Sequence, residues 1–340
     1  MDPGRQARAG ALIVVRFLHL AFVVSCCLAA APGAELYDFR GQVVQDDGRP
    51  FRRVTPLVFL QGATSPFSAR TEADGGGRFT FKRLLPGMYT LYIAVPHAGM
   101  LRRTVEVGAS FADPKGRIEA SFVVERKPSA AESSIVSASQ LSVPEKATVE
   151  YDKAQERLGK RDVAGAIESL KNAVEIAPQY SAAWNNLGTI AYQSGRFAEA
   201  EGYFRSALKA APDSYAPLVN LGGALLSLGK IAESLPVNER AVKARPDDAL
   251  AHSQLGQSCM LAGKLEEAEV HLKAAKALDP GHFSFPQMVL AQIYLRRGDH
   301  AAAARELEEF LRYHPDSALA SGVSRTLDEL RTGGKEHAKP

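Results

Sequence analysis

The sequence predicts a two-part chain, an all-β antiparallel sandwich followed by an all-α superhelix of stacked helix pairs (an α-solenoid). Three observations carry that expectation. Between residues 35 and 126, short runs rich in β-branched and aromatic residues alternate with turns rich in Gly and Asp. Beyond them, prolines recur at Pro144, Pro178, Pro212, Pro246 and Pro280, every interval being 34 residues, and Pro315 follows 35 later. Residues 127–143, between the two patterns, switch to Lys, Pro, Ser, Ala and Glu.

Residues 1–34 read as an export signal. Arg5, Arg8 and Arg16 precede an apolar run from Phe17 to Ala31, broken only by His19 and Ser25, and small residues follow at Gly33-Ala34. The run is shorter than the roughly twenty residues that span a bilayer, so cleavage is expected rather than retention as an anchor. Arg16 opposes insertion, and a start near Val15 would place Phe17–Leu20 at the head of the signal. Val23-Val24-Ser25-Cys26 resembles a bacterial lipoprotein box with Val23 in place of the usual Leu. It makes Cys26 the residue that would be lipidated, against a plainer reading as small residues of a signal core. Membrane attachment is expected only through such a lipid or an uncleaved signal. With Cys26 and Cys27 in the signal, only Cys259 survives cleavage, and no internal disulfide can form. The expected location is the periplasm or envelope of a bacterium.

The net charge is +3. Residues 35–126 hold thirteen basic and ten acidic residues, and residues 127–340 hold twenty-five and twenty-seven. Neither segment has the basic excess that a phosphate backbone demands, which argues against a nucleic-acid partner.

In the first part, strands are expected at Gln42–Gln45, Pro56–Leu60, Arg78–Phe81, Tyr89–Val95, Thr104–Val107 and Ala120–Val124. Alternation in Thr90–Val95 puts Leu91, Ile93 and Val95 on one face. Turns fall at Asp46-Asp47-Gly48, Asp74–Gly77 and Pro86-Gly87. The succession Gly41–Val44, Asp47–Pro50, Thr71–Gly75, Gly77–Phe79 and Leu84–Leu91 resembles the carboxypeptidase regulatory-like domain, a transthyretin-like sandwich grouped with starch-binding-like folds. The resemblance implies the fold and, for function, a spacer, an adaptor or a carbohydrate binder. Glycan binding would draw on exposed aromatics, for which Phe51, Phe67 and Tyr92 are the candidates. Asp46, Asp47, Glu72 and Asp74 sit singly in separate turns rather than at the regular spacing of a calcium loop, so no metal is expected. The basic pairs Arg52-Arg53, Lys82-Arg83 and Arg102-Arg103 read as charges that keep sheet edges soluble.

The polar composition of residues 127–143 reads as a flexible linker. Residues 144–315 then hold five repeat units. Columns recur in step with the prolines: Trp184, Leu187, Gly188, Gly195, Ala200, Phe204 and Ala207 in the second unit; Leu218, Leu221, Gly222, Gly229 and Ala241 in the third; Leu255, Gly256, Gly263, Ala268, Leu272 and Ala275 in the fourth. The fifth, shifted by one, has Leu290, Ala291, Tyr294, Gly298, Ala303, Leu307 and Phe310; the first has Ala154, Ala166, Leu170 and Ala173, with Arg161 where the turn glycine is usual. Period and columns resemble the tetratricopeptide (TPR) repeat, two antiparallel helices and a turn. Small residues let the helices approach, glycines cap the first helix of each pair, and prolines end the second. A capping helix is expected over 316–332, burying Leu319, Val323, Leu327 and Leu330, with a disordered tail at 333–340.

The resemblance implies a concave groove, lined by first helices, that grips a peptide or helix of another protein. Its matching positions here are Tyr151, Gln155, Asn185, Thr189, Tyr192, Gln193, Val219, Gly223, Leu226, Ser253, Gln257, Met260, Met288, Gln292 and Arg296. Amides there can bond a peptide backbone and methionines can adapt to varied side chains. Tyr151, Gln155 and Val219 stand where chaperone-binding members carry a charged or amide clamp, which argues against an acidic carboxyl-terminal tail as ligand. Trp184 and Cys259 read as packing residues. No nucleophile, phosphate-loop or metal-ligand motif is present, and the histidines of the mature chain are scattered. The expectation is an exported scaffold without catalytic residues, cofactor or metal, with a carbohydrate-binding envelope protein as the alternative.

Overall fold

The computed structural model describes residues 35–51, 54–96, 99–124 and 143–336, with no side chains described beyond Thr332. The expected signal, Cys26, the Arg52-Arg53 pair, nearly all of the linker and the last four residues lie outside these. Among the described residues no helix is long and apolar enough to cross a membrane. The chain divides into two compact units, one ending at Asn220 and the other beginning at Leu221.

Among the described residues the first unit opens with seven strands: β1 (Tyr37–Val44), β2 (Leu57–Gly62), β3 (Ser68–Glu72), β4 (Arg78–Leu84), β5 (Gly87–Val95), β6 (Gly99–Val107) and β7 (Arg117–Val123). They form a three-stranded sheet, β4-β1-β7, and a four-stranded one, β3-β2-β5-β6. Pairing is antiparallel-rich, but β7 runs parallel to β1, from Asp38 opposite Arg117 to Val44 opposite Val123. The expected antiparallel sandwich is present, and this one parallel pair is an addition to it. The chain leaves β6 in one sheet and returns to the edge of the other in the direction of β1, a crossover that strand periodicity does not encode.

The two inner faces share one core. Leu91, Ile93 and Val95 are buried as the alternation requires, alongside Val58 and Leu60 and opposite Phe39, Phe79, Phe81 and Phe122. Phe79 stacks on Phe122 with ring centroids 6.2 Å apart. Gly41 makes this arrangement possible, since a Cβ there would come within 2.0 Å of the Phe79 ring. Phe51 belongs to this core, and Phe67 meets Tyr89 edge to face at 5.6 Å. Asp74 works as a turn residue, its carboxylate accepting from the Gly76 and Arg78 N–H groups at 2.8 Å each.

Helices α1 (Glu145–Gly159), α2 (Val163–Ile176), α3 (Ser181–Gln193) and α4 (Phe197–Ala210) follow in the same unit, and α5 (Tyr215–Ser227) contains the change of unit. The second unit continues with α6 (Ile231–Ala244), α7 (Ala249–Leu261), α8 (Leu265–Leu278), α9 (Pro286–Arg296), α10 (His300–Tyr313) and α11 (Ala320–Glu336). Pro178, Pro212, Pro246, Pro280 and Pro315 each stand two residues past the end of a second helix. Gly195, Gly229, Gly263 and Gly298 follow the first helices with φ of 69–81°, the left-handed cap. Arg161 takes the same conformation (φ 61°) without being glycine.

Within each pair the helices meet across small residues. A Cβ on Gly188 would lie 2.5 Å from the Phe204 ring, and one on Gly256 would lie 2.6 Å from Leu272. The fifth repeat absorbs its extra residue before α9, where Phe285 adopts φ 52°. Helix α11 begins at Ala320 rather than near 316 and runs past the expected boundary to Glu336. Leu319, Val323 and Leu327 are buried with Leu307 and Phe310, and Leu330 packs at their edge.

Candidate protein-binding face

In the first unit the first helices are joined by an amide ladder. Asn186 Nδ2 donates to the Tyr151 hydroxyl at 3.2 Å, linking α3 to α1, and Asn220 Nδ2 donates to Asn185 Oδ1 at 3.0 Å, linking α5 to α3. Tyr151 and Asn185 are one period apart, as are Asn186 and Asn220, so two columns of the repeat bond diagonally. The Tyr151 ring lies 5.1 Å from that of Tyr180. Burial raises the Tyr151 hydroxyl above its ordinary range, with the Asn186 bond working against the rise. Burial, with Tyr151 and Asp152 nearby, pushes Tyr180 up to about 12. Both phenols therefore stay neutral at any physiological pH. Thr189 Oγ1 donates to the Asn185 carbonyl at 3.0 Å, and Tyr192 meets Phe197 edge to face.

The expected lining residues do not share one fate. Tyr151, Asn185, Thr189 and Tyr192 are half-buried and stand on or beside the ladder, whereas Gln155 is half-buried with an Nε2 that is enclosed and unpartnered. Gln193 is engaged inside the molecule, its Nε2 donating to the Gly62 carbonyl of the sandwich at 2.8 Å. Val219 is buried.

In the second unit Gly223, Leu226, Ser253, Met260, Met288 and Gln292 are buried, Gln257 is half-buried and Arg296 is exposed. Met260 belongs to the core with Leu255, Leu272 and Leu290, and Met288 to the core with Ala303, Leu307 and Phe310. An unbranched thioether fills irregular gaps readily, so neither methionine is left to receive a ligand. Ser253 Oγ accepts from Ser284 Oγ at 2.7 Å and from Gln257 Nε2 at 3.3 Å.

The expectation that Trp184 packs is met. Its indole lies against Tyr203 with centroids 5.9 Å apart, and Nε1 donates to the Pro178 carbonyl at 2.8 Å. Cys259 is buried among apolar side chains, which raises its thiol pKa. Reading columns one at a time passed over Asn186, Asn220 and Tyr180; the signal that finds the first two is their own spacing of one period.

Models described as tetratricopeptide repeat match residues 151–215 and 288–323, residues 191–258, and residues 249–274. No curated protein matches the chain. Similar solved structures include MamA from Desulfovibrio magneticus RS-1, at 24% identity over 52% of this chain and 99% of that one with a TM-score of 0.46. A thermophilic TPR protein from Thermus thermophilus, TTC0263, is 19% identical over 55% and 99%, with a TM-score of 0.44. YrrB, described as a TPR protein with an unusual peptide-binding site, is 23% identical over 56% and 99%, with a TM-score of 0.43.

Proposed function

Taking the helical part of the chain as tetratricopeptide repeats, we propose that this protein is a non-enzymatic interaction scaffold that receives a peptide segment of another protein on the first helices of its first unit. The observation that carries the reading is the ladder of Tyr151, Asn185, Asn186 and Asn220. Each bonded asparagine uses one hydrogen or one acceptor site on its neighbour and keeps the rest of its amide for a peptide backbone. The side chains are uncharged, so recognition rests on backbone hydrogen bonds and shape rather than on charge, in line with the absence of a basic clamp at Tyr151, Gln155 and Val219. The sandwich, whose succession of motifs resembles the carboxypeptidase regulatory-like domain, serves as an adaptor. The basic and then apolar start of the sequence supports export to a bacterial envelope.

Affinity capture tests this reading, with the full chain as bait and the Asn185→Ala/Asn220→Ala double variant beside it. The expected result is a partner recovered by the first bait and lost with the second, while both baits melt cooperatively. Equal recovery by both would show that the ladder takes no part in binding.

A further inference from the structure

Where the sandwich meets the first repeat, inside the first unit, the surface holds a hollow of about 500 Å³. Four cations line it: Arg70 from β3, Lys82 and Arg83 from β4, and Arg161 from the turn between α1 and α2. No carboxylate is among its described lining residues, while the half-buried Phe67 supplies an apolar surface, backed by the buried Phe81 and Leu84. Like charges gathered around one concavity repel one another and are ordinarily neutralised by acidic neighbours. These are not. Among the described residues, none of the four forms an ion pair.

Of the nearby carboxylates, Glu72 and Glu119 line a second hollow with Lys82, while Asp38 and Asp162 are engaged locally. Asp38 accepts from the Arg83 backbone N–H at 3.2 Å, and Asp162 caps α2 through the Gly165 N–H at 2.9 Å while lying 3.8 Å from Arg157. Arg161 is held by neutral groups, donating to the Arg83 carbonyl at 2.8 Å and standing 5.7 Å from the centroid of the Phe67 ring. Arg83 and Arg161 also share a backbone conformation that side-chain-bearing residues rarely adopt, with φ of 57° and 61°. Such outliers persist where the surroundings hold them and collect at binding sites.

We infer that this hollow binds a small organic oxyanion, a molecule bearing phosphate or carboxylate groups beside an apolar or aromatic portion. The guanidinium and ammonium groups would bond the oxyanion, and the Phe67 wall would take the apolar part. The site is separate from the amide ladder, and an occupant would bridge sandwich and repeat.

The test is calorimetric titration of the full chain at low salt with inorganic phosphate, citrate and phenyl phosphate. Phenyl phosphate is expected to bind with a Kd below about 1 mM, more tightly than inorganic phosphate, and to lose affinity as salt rises. The Arg70→Gln/Lys82→Gln variant removes two exposed charges without touching the contacts of Arg161, and its affinity is expected to fall by roughly tenfold or more with an unchanged melting temperature. Absence of binding by all three probes would overturn the inference. So would an affinity indifferent to the double substitution, or equal binding of phosphate and phenyl phosphate.

Discussion

Single atoms decide much of this molecule. Gly188 is tolerated because it has no Cβ: one added there would sit 2.5 Å from a Phe204 ring that is itself buried. Gly188→Ala should cost about 1–3 kcal/mol in chemical denaturation despite the better helix propensity of alanine. Asn238 is the converse case. Its column holds Leu170, Phe204, Leu272 and Leu307 in the other repeats, yet Asn238 is buried with an Oδ1 that has no partner, its Nδ2 donating to Ser258 Oγ at 2.9 Å. Asn238→Leu should therefore stabilise the chain by about 1 kcal/mol.

Glu269 contributes through its charge, accepting from Lys273, Tyr294 and Arg297, which hold its carboxyl at about 2 against an ordinary 4.5. A depressed carboxyl stabilises the fold fully above its unfolded value and loses that contribution as pH falls towards 2. The melting temperatures of wild type and Glu269→Gln should differ at neutral pH and converge on acidification across that window. At this scale the sequence disclosed the small residues, because they recur. It hid the fate of Met260 and Met288, whose columns point to a groove but whose flexible side chains fold into the core.

Elements were legible wherever a period was enforced. The turn glycines recur because a left-handed φ is needed after each first helix, and nothing lies within 4 Å of the Cβ position at Gly263. Gly263→Ala should thus show a purely conformational cost of roughly 1–2 kcal/mol, measurable in the same denaturation assay. Strand β3 escaped notice for the opposite reason. Ser68–Glu72 is an edge strand with no buried residue, so it displays no apolar alternation. The parallel β1–β7 pair was equally invisible, since hydrophobic pattern reports which face is buried and not which way a neighbour runs. Arg161 marked its repeat as irregular in the sequence, but only the structure shows why an arginine stands there: it reaches the sandwich.

For the molecule as a whole, sandwich and first repeats belong to one compact unit, joined by the Arg161 and Gln193 bonds to the Arg83 and Gly62 carbonyls. That contact removes Gln193 from any receiving surface and leaves Tyr151, Asn185, Asn186 and Asn220 as the proposed heart of it. The ladder was half legible, since its columns recur with the period although the diagonal bonds between them do not follow from it. Hydrogen exchange of the full chain, with and without the peptide segment of a captured partner, tests the account most directly. Slowed amide exchange over residues 145–159, 181–193 and 215–220 is the predicted result; slowing confined to strands between residues 37 and 123, with those helices unchanged, would contradict it.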